Sequence, residues 1–381
     1  MMKPDNEAAL AELVKSANAP LSVKGGGTRG IAAEGATVSL AGLSGISLYE
    51  PGALTLVARA GTPVDEIDQA LAAEGQRLAF EPMDHRTLLG TIGAPTIGGV
   101  MAANISGPRR IQGGAARDHA LGVRFVDGTG AIVKNGGRVM KNVTGYDLVK
   151  LMSGAHGTLG ILTEVSMKVL PIPETQATLM LRNMPDAAAV EAMSRAMGSP
   201  FEVSGAAHCA KIDKQTPVTL LRVEGFADSV RYRIGALKDL LADTGAEMEV
   251  ACHDMSAMLW QSVRDVTEME HLEGDVWRVS CKPSDAANLA ERSGARGWYF
   301  DWGGGLIWMR TAPGDDLRAR LGAFEGHATL VRADAATRAA LPVFHPRSDG
   351  LEKLAAGLRA RFDPRGILNR GLMGPVLAES L

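Results

Sequence analysis

Glycine recurs every few residues between Gly90 and Gly160, and this stretch constrains the chain more than any other feature. Apolar and β-branched residues separate the glycines, which distinguishes the stretch from a flexible, low-complexity linker. Glycine permits positive φ angles and lets the backbone approach a ligand without a Cβ atom in the way. A second cluster lies earlier, at Lys24-Gly25-Gly26-Gly27-Thr28-Arg29-Gly30. The two stretches together predict a backbone that wraps around one large, flat cofactor at two places.

The composition is that of a soluble globular protein with enough residues for two domains. The chain has 381 residues, of which 46% are hydrophobic and 22% charged, and its formal net charge is −3. No basic stripe indicates nucleic acid as a partner. No signal peptide is recognisable, and no apolar run approaches the ~20 residues that span a bilayer. The sequence therefore predicts a cytoplasmic protein, with any membrane association made through partner subunits.

The three cysteines give no indication of a metal centre. Cys209, Cys252 and Cys281 are widely spaced, whereas zinc and iron–sulfur sites need clustered thiolates. We therefore expect no metal and interpret the three residues as small buried hydrophobes.

Several local patterns predict an α+β fold with a domain boundary near Pro171-Ile172-Pro173-Glu174, where proline ends a strand over 161–170. Before the boundary, Thr62 is expected to cap a helix with Pro63 in its first position, and Asp127-Gly128 to turn a β-hairpin. After the boundary, the elements follow in the order β-α-β-β-α-β. This order is typical of the ferredoxin-like plan, and a partial second round is predicted over 276–332.

The first glycine cluster matches the Rossmann dinucleotide pattern, but its context does not. Gly25-x-Gly27-x-x-Gly30 follows a strand, yet residues 31–34 lead to Gly35 and a strand-like 37–40 instead of a crossover helix. The loop is better interpreted as a nest of backbone N–H groups for a pyrophosphate, with Lys24 or Arg29 offsetting its charge.

Four segments in the same order resemble the FAD-binding fold of the vanillyl-alcohol oxidase/p-cresol methylhydroxylase (PCMH) flavoprotein superfamily. They are Lys24–Arg29, Thr96–Gly107, Lys141–Leu148 continued by Gly154–Ile161, and Phe362–Asn369. The resemblance implies a PCMH-type, two-subdomain FAD-binding domain over residues 1–173. It further implies a ferredoxin-like α+β cap domain over 174–345. The segment 346–381 would return to the FAD domain beside the flavin.

The resemblance also implies which residues hold FAD. In the family the first loop binds the pyrophosphate, and members with a covalently attached flavin usually carry a histidine in that loop. Thr28 stands there instead, so FAD is expected to be bound non-covalently. For the glycines, the alternative is that they only shape turns. The implied cofactor-binding residues are Lys24, Gly25, Gly26, Gly27, Thr28, Arg29, Thr96, Ile97, Gly98, Gly99, Asn104, Gly107, Gly157, Thr158, Gly160, Ile161 and Asn369.

A narrower resemblance is to the E subunit of bacterial glycolate oxidase. It is carried by Ser106–Arg110, Gly114–Gly122, Leu259–Asp265, Trp277–Ser280 and Asp301–Gly304. This resemblance implies oxidation of glycolate to glyoxylate, with electrons leaving through a second flavoprotein subunit and an iron–sulfur subunit.

Two departures from these families limit what the resemblance implies. The histidine-rich metal motif of the catalytic flavoprotein subunits is matched only by Gly326-His327-Ala328-Thr329, and Arg370 replaces the proline that usually follows the terminal asparagine.

Arg264 is the candidate catalytic residue. Helical spacing places Trp260 and Arg264 on one face, and arginine can bind a 2-hydroxy-acid carboxylate through two parallel hydrogen bonds. The alternative is an ordinary ion pair with Asp265 or Glu268.

Other polar residues near the family segments have two interpretations each. The histidines could act as bases or be structural, and the arginines and the aspartate could contact a ligand or form ion pairs. Trp298, Trp302 and Trp308 are interpreted as core or partner-interface residues. The residues left open are His85, His119, His156, Arg109, Arg110, Arg117 and Asp118.

Three functions are compatible with the sequence. The first is a redox-active FAD subunit of a glycolate oxidase or dehydrogenase complex. The second is a non-catalytic structural subunit of that complex, which keeps the flavoprotein fold. The third is a stand-alone FAD-linked oxidase of another 2-hydroxy acid or alcohol.

Overall fold

A computed structural model describes residues 1–31, 33–138, 145–210 and 216–374 of the chain. The predicted family residues Lys141–Thr144 lie outside the described residues. The chain forms two compact units. The first comprises Met1–Ser106, Gly114–Ile172 and the chain from Pro346 onward. The second comprises Gly107–Gly113 and Pro173–His345, so the last residue of the second family segment, Gly107, already belongs to the second unit.

The strands are mostly short and rich in apolar residues. Numbered in chain order, they are β1 (Leu21–Lys24), β2 (Ala36–Ser39), β3 (Ile46–Glu50), β4 (Thr55–Arg59), β5 (Gln76–Arg77), β6 (Ala120–Val126), β7 (Ile132–Gly136), β8 (Ile161–Lys168), β9 (Leu170–Pro171), β10 (Thr175–Arg182), β11 (Gly205–Cys209), β12 (Val218–Gly225), β13 (Met248–Cys252), β14 (Asp275–Cys281), β15 (Gly297–Asp301), β16 (Leu306–Thr311) and β17 (Gly326–Arg332).

The helices, numbered in the same way, are α1 (Glu7–Ser16), α2 (Val64–Ala73), α3 (Arg86–Leu89), α4 (Ile97–Ala103), α5 (Arg110–Gly113), α6 (Ala116–His119), α7 (Leu148–Met152), α8 (Asp186–Met197), α9 (Ala227–Leu240), α10 (His253–Asp265), α11 (Ala286–Arg292), α12 (Leu317–Leu321), α13 (Ala335–Ala340) and α14 (Asp349–Phe362).

The first unit is built on an antiparallel sheet in the order β3-β4-β8-β6-β7, next to a parallel pair, β1 and β2. Alternating apolar residues of these strands pack with helices α1, α2, α4 and α7 in one core that includes Leu56, Phe125 and Val165. The predicted hairpin is confirmed as β6 and β7. Its turn is held by the Asp127 carboxylate, which accepts the N–H groups of Thr129 and Ala131.

The predicted start of the second helix is wrong by one residue. Helix α2 begins at Val64, and Pro63 occupies the capping position without a side-chain hydrogen bond. The Thr62 hydroxyl instead donates to the Arg59 carbonyl over 2.7 Å and accepts the Gly45 N–H over 2.9 Å. Thr62 is fully buried, so tertiary hydrogen bonds take its hydroxyl away from the helix end.

The chain from Pro346 onward returns to the first unit as α14 and a tight turn. The Asp363 carboxylate accepts the N–H groups of Ile367 and Leu368, and Arg365 donates to the carbonyls of Val14 and Gly128. Leu368 then forms an isolated parallel bridge with Leu21 of β1. The polar residues of this segment therefore fix its conformation and attach it to β1.

Replacing Asp363 with alanine is expected to lower the free energy of unfolding by about 3 kcal/mol, because two buried N–H groups lose their acceptor. Asp363 is only 2% exposed. Asparagine at the same position keeps one oxygen and should cost about half as much. The matched control is Asp349→Ala at the exposed start of α14, and urea titrations followed by circular dichroism make the comparison. Equal losses for Asp363→Ala and Asp349→Ala would show that the turn does not depend on this carboxylate.

The second unit contains one eight-stranded antiparallel sheet in the order β13-β10-β12-β11-β15-β16-β14-β17. Strands β10–β13 with helices α8 and α9 form one ferredoxin-like half, as the sequence predicts. Strands β14–β17 with α11 and α12 repeat the same plan in full rather than in part. The halves join where β11 pairs with β15, through His208 with Phe300 and Cys209 with Tyr299. The predicted α+β class with a ferredoxin-like unit is confirmed.

A membrane-spanning helix was not expected from the sequence. Over the ranges that the structure describes, no helix is long and apolar enough to cross a bilayer.

Candidate functional site

A cavity of about 280 Å³ opens in the first unit where the first glycine loop meets α4 and the C-terminal turn. The lining is a mixture of glycine backbone, small apolar side chains and a few polar groups. Its described members are Val23, Lys24, Gly25, Gly26, Gly27, Thr28, Arg29, Gly30, Ile31, Met83, His85, Pro95, Thr96, Gly99, Val100, Ala102, Ala103, Ile105, His156, Asn369 and Leu372.

The first glycine loop can pass behind this cavity only because it lacks side chains. A Cβ atom at Gly26 would lie 1.6 Å from the carbonyl oxygen of Ala94, and one at Gly25 would lie 2.2 Å from the Thr96 hydroxyl oxygen. Gly27 differs, since it has a φ of 72° and nothing within 4 Å of its missing Cβ atom. Sterics therefore exclude side chains at Gly25 and Gly26, and Gly27 supplies a turn on the open side.

Helix α4 supplies the opposite wall and is positioned by its first residues. The Thr96 hydroxyl accepts the Gly99 N–H, and the Gly98 N–H donates to the Ala60 carbonyl. A Cβ atom at Gly98 would lie 2.6 Å from Ala60. Gly98 therefore lets α4 pack closely against the end of β4, while Gly99 and Thr96 line the cavity.

Arg29 is a half-buried cation in the lining of the cavity. Its Nη1 atom donates to Nδ1 of His156 over 3.3 Å, and its buried Nε atom has no hydrogen-bond partner among the described residues. Burial lowers the pKa of Arg29 to about 10, so the guanidinium remains charged at neutral pH. A guanidinium with a buried, unsatisfied N–H donor favours an anionic ligand.

His156 cannot serve as a base at neutral pH in this environment. Burial, and secondly the charge of Arg29, lower its pKa to about 3, so the ring is neutral. Because its Nδ1 accepts from Arg29, the ring proton resides on Nε2. The structure therefore favours the structural interpretation of this histidine over the catalytic one.

Asn369 joins the two glycine-rich stretches through its side-chain amide. Its Oδ1 atom accepts the Val23 N–H over 2.7 Å, and its Nδ2 group donates to the His156 carbonyl over 2.8 Å. The residue is 5% exposed and has a φ of 43°, in the left-handed region that asparagine tolerates better than most residues. Asn369 thus holds the end of β1 and the 154–160 loop at a fixed separation.

The cavity lining includes nine of the residues that the family resemblance implies. These are Lys24, Gly25, Gly26, Gly27, Thr28, Arg29, Thr96, Gly99 and Asn369. It also includes Met83, Pro95 and Leu372, for which the sequence carried no recognisable signal. His85 belongs to the lining as well and is buried.

Eight further implied residues lie outside that lining. Ile97 is in the core, and the Asn104 Oδ1 atom accepts the Arg117 N–H. Gly107 belongs to the second unit, where its carbonyl accepts the indole N–H of Trp302. Direct contacts of these residues with a cofactor remain predictions.

The others shape the pocket from behind. Gly98 packs on Ala60, and a Cβ atom at Gly157 would lie 2.8 Å from the Asn369 amide nitrogen. Gly160 leaves room for the Phe125 ring, which a Cβ atom would approach to 2.6 Å. Thr158 donates to the Ala155 carbonyl, and Ile161 begins β8.

In the second unit, α10 carries Trp260 and Arg264 as the helical spacing predicts. The Arg264 guanidinium donates two hydrogen bonds, of 2.8 and 2.6 Å, to the carboxylate of the adjacent Asp265. The sequence alternative of an ion pair with Asp265 is therefore present. Trp260 is engaged elsewhere, since its ring lies 4.5 Å from the Arg222 guanidinium and its Nε1 donates to Thr178.

The arginines near the second family segment also form ion pairs. Arg109 binds both carboxylate oxygens of Glu224, and the Arg117 Nε atom lies 3.8 Å from Asp118. His119 is buried with its ring 5.7 Å from that of Phe80. These contacts favour the structural interpretation that the sequence left open for them.

The expectation that all three cysteines are buried is wrong for Cys252, which is exposed on β13, whereas Cys209 and Cys281 are half-buried. Burial raises the pKa of both Cys209 and Cys281 to about 12, so they remain protonated at neutral pH. Over the described ranges, no group of three or more His, Cys, Asp and Glu side chains could hold a metal ion.

The first-unit cavity fits FAD by its own chemistry. Glycine backbone at Gly25–Gly27 permits the close approach of a diphosphate, and the half-buried Arg29 has a donor for an anionic oxygen. Neutral small residues such as Val100 and Ala103 form a wall suited to a flat, apolar ring.

Comparison with known proteins identifies the class. The profile of the FAD binding domain family matches residues 1–136. Glycolate oxidase subunit GlcD of Bacillus subtilis is 37% identical over 131 residues, which cover 34% of this chain and 24% of that protein. The first third of the chain is thus an FAD-binding domain of the kind found in flavin-linked oxidoreductases.

A second comparison identifies the family. Glycolate oxidase subunit GlcE of Escherichia coli is 34% identical over 380 residues, which cover 97% of each chain. Identity at this level over nearly the whole length shows that the chain belongs to the GlcE family of glycolate oxidase subunits.

Solved structures with low sequence identity show the same fold. An alkyldihydroxyacetonephosphate synthase superposes with a TM-score of 0.68 at 17% identity, covering 96% of this chain and 76% of that one. The VAO-type flavoprotein MtVAO615 of Myceliophthora thermophila superposes with a TM-score of 0.63 at 13% identity, covering 95% of this chain and 76% of that one.

Proposed function

We propose that this chain is the FAD-binding subunit of a glycolate oxidase or dehydrogenase complex that converts glycolate to glyoxylate. In this proposal, electrons pass to a second flavoprotein subunit and an iron–sulfur subunit, and any membrane association is made through them. The observation that carries it is the similarity to glycolate oxidase subunit GlcE over 97% of each chain. The cavity supports it, because the buried Nε donor of Arg29 suits a cofactor phosphate.

The proposed roles of the site residues follow from their positions. Gly25, Gly26 and Gly27 bring backbone N–H groups to the diphosphate, and Arg29 offsets its charge. Thr96 and Gly99 border the same cavity, and Asn369 holds its two sides together. Bound FAD would supply a two-electron acceptor for the C–H bond beside the substrate hydroxyl. No histidine occupies the first loop, so we propose that FAD is held non-covalently.

A second candidate is a subunit that binds FAD without oxidising substrate itself. It is favoured by the state of Arg264, whose guanidinium is bonded in bidentate fashion to Asp265. An arginine neutralised in this way is a poor ligand for a substrate carboxylate. In that case the chemistry would reside in the sister flavoprotein subunit.

Anaerobic addition of glycolate to the purified, FAD-loaded chain tests the proposal. We expect the flavin absorbance to bleach on the time scale of turnover when the second flavoprotein and iron–sulfur subunits are present. Bleaching of the chain alone would establish independent catalysis. A flavin that stays oxidised under both conditions, while the sister subunit's flavin is reduced, would contradict the redox role and support the second candidate. Denaturation with acid should release FAD into solution, since the attachment is non-covalent.

A further inference from the structure

The eight-stranded sheet of the second unit has one face covered by helices and one that carries polar groups. Residues of α8, α9, α11 and α12 pack in one core with strand residues such as Trp277, Val279 and Ile307. Because side chains alternate across a strand, their neighbours point to the other face. There, cross-strand pairing aligns Tyr299 with Trp308 and Trp308 with Arg278. Arg278 therefore lies in a row with Tyr299 and Trp308 on the face opposite α8, α9, α11 and α12.

The Trp302 ring contacts two arginines, one of which, Arg278, belongs to this row. The guanidinium carbon of Arg110 lies 4.7 Å from the Trp302 ring centroid, and that of Arg278 lies 4.9 Å from it. Stacking on an aromatic ring engages the flat face of a guanidinium and fixes its plane, whereas its N–H donors point outward within that plane. Each arginine has other partners within the protein, and a guanidinium has enough donors to bind an anion in addition.

The backbone conformation of Trp302 is strained, and two hydrogen bonds hold the residue in it. Trp302 has a φ of 54°, a strained conformation for an L-residue with a bulky side chain. Two hydrogen bonds maintain it, one from the Trp302 N–H to the Asp301 carboxylate over 2.7 Å and one from its Nε1 to the Gly107 carbonyl over 3.1 Å. A strained residue persists only where the contacts around it hold it in place. Residues of this kind are frequent at functional sites.

Both arginines also act electrostatically on a neighbouring histidine. His327 lies near enough that Arg278, His345 and Arg110 each lower its pKa, after the larger effect of burial. The fold thus brings His345 to the histidine that stood alone in the sequence motif. The His345 Nδ1 atom accepts the Ala328 N–H.

We propose that Arg110 and Arg278, stacked against Trp302, form the subsite that binds the carboxylate of a small 2-hydroxy acid. The assignment of that acid as substrate rests on the proposed function. Two guanidiniums held within 4.9 Å of one ring centroid offer several N–H donors to a planar carboxylate. Arg264, the arginine that the sequence indicated, is neutralised by Asp265. The subsite therefore replaces Arg264 as the carboxylate ligand.

Isothermal titration of the FAD-loaded full chain with oxalate tests the subsite without requiring turnover. Oxalate carries the carboxylate of a 2-hydroxy acid and cannot be oxidised in the same way. We expect Arg278→Gln and Arg110→Gln each to raise the Kd for oxalate by at least about tenfold, because one charged bidentate ligand is lost. Arg278→Lys should recover only part of the affinity, since lysine keeps the charge but not the planar donor edge.

The control variant is Arg195→Gln, which removes an arginine of the same unit that is paired with Asp243 at the surface. It should leave the oxalate Kd unchanged. Flavin content and melting temperature establish that each variant is folded and loaded. The proposal is overturned if wild-type chain does not bind oxalate, or if loaded Arg278→Gln and Arg110→Gln bind it as wild type does.

The failure of the proposed function would look different from the failure of the subsite. Oxalate binding that depends on Arg110 and Arg278, combined with a flavin that glycolate never reduces in the complex, would leave the subsite standing and remove glycolate oxidation. If glycolate reduces the flavin in the complex but both variants bind oxalate with wild-type affinity, glycolate oxidation stands and the subsite is removed.

Discussion

Gly26→Ala is expected to yield a chain that purifies without FAD. The added Cβ atom would lie 1.6 Å from the Ala94 carbonyl oxygen, so the main chain of the first loop must move out of its position. Overpacking against backbone costs typically 1–3 kcal/mol, and a loss of about 3 kcal/mol corresponds to roughly a hundredfold weaker binding. The ratio of flavin to protein absorbance after purification, followed by titration with FAD, measures the effect.

The matched control for this substitution is Gly52→Ala. A Cβ atom there meets nothing within 4 Å, and the residue needs no positive φ angle. We expect normal flavin content from it. Melting temperatures of the FAD-free proteins separate a lost cofactor site from a lost fold. If Gly26→Ala bound FAD with wild-type affinity, the first loop would not be the diphosphate cradle.

Asn369→Asp is the second substitution for which we expect a large loss of FAD affinity. The new carboxylate can still accept the Val23 N–H, but it faces the His156 carbonyl where the amide donated over 2.8 Å. Removing a buried donor and placing a charge against a carbonyl costs about 3 kcal/mol, which is roughly a hundredfold in Kd if it appears in binding. Fluorescence titration with FAD measures it.

The pH dependence of this variant provides a signature that simple unfolding would not. A buried carboxyl beside a carbonyl has a raised pKa in the folded state, so its protonated form, which can donate, becomes populated as the pH falls. FAD affinity of Asn369→Asp should therefore recover in part between about pH 8 and about pH 5.5, and that of the wild type should not follow the same course. A pH-independent loss would contradict the bridging role.

Asn183→Asp is the control for the backbone conformation of Asn369. Asn183 also has a positive φ, of 60°, but it is exposed on the second unit. Aspartate tolerates this conformation nearly as well as asparagine. We expect flavin content and stability close to wild type.

The sequence predicted those parts of the fold that local patterns encode. Alternation around Asp127-Gly128 located the β6–β7 hairpin, and the order of elements after Pro173 located the ferredoxin-like half. The pairing of β11 with β15, which joins the two halves, left no local signal because it depends on complementary edges of strands far apart in the chain. Thr62 likewise left no local signal, because its hydroxyl bonds to the Gly45 N–H and the Arg59 carbonyl instead of capping the helix.

For the candidate site, glycine spacing and family resemblance located the loops but not the reason for each glycine. Gly98 and Gly160 make room for Ala60 and Phe125, contacts that exist only after folding. The contact between Arg29 and His156 spans 127 residues, so neither residue indicates the other in the sequence. Arg264 was selected from helical periodicity, which does not show that Asp265 reaches back to it.

The bridge made by Asn369 has a consequence for how the protein acquires its cofactor in the cell. Asn369 and Val23 are separated by 346 residues, and synthesis proceeds from the N-terminus. Both glycine loops and the second unit are therefore synthesised before the residue that joins the loops. Stable flavin capture is expected to wait for residue 369, so that the yellow colour of the protein reports chains whose synthesis has passed that residue.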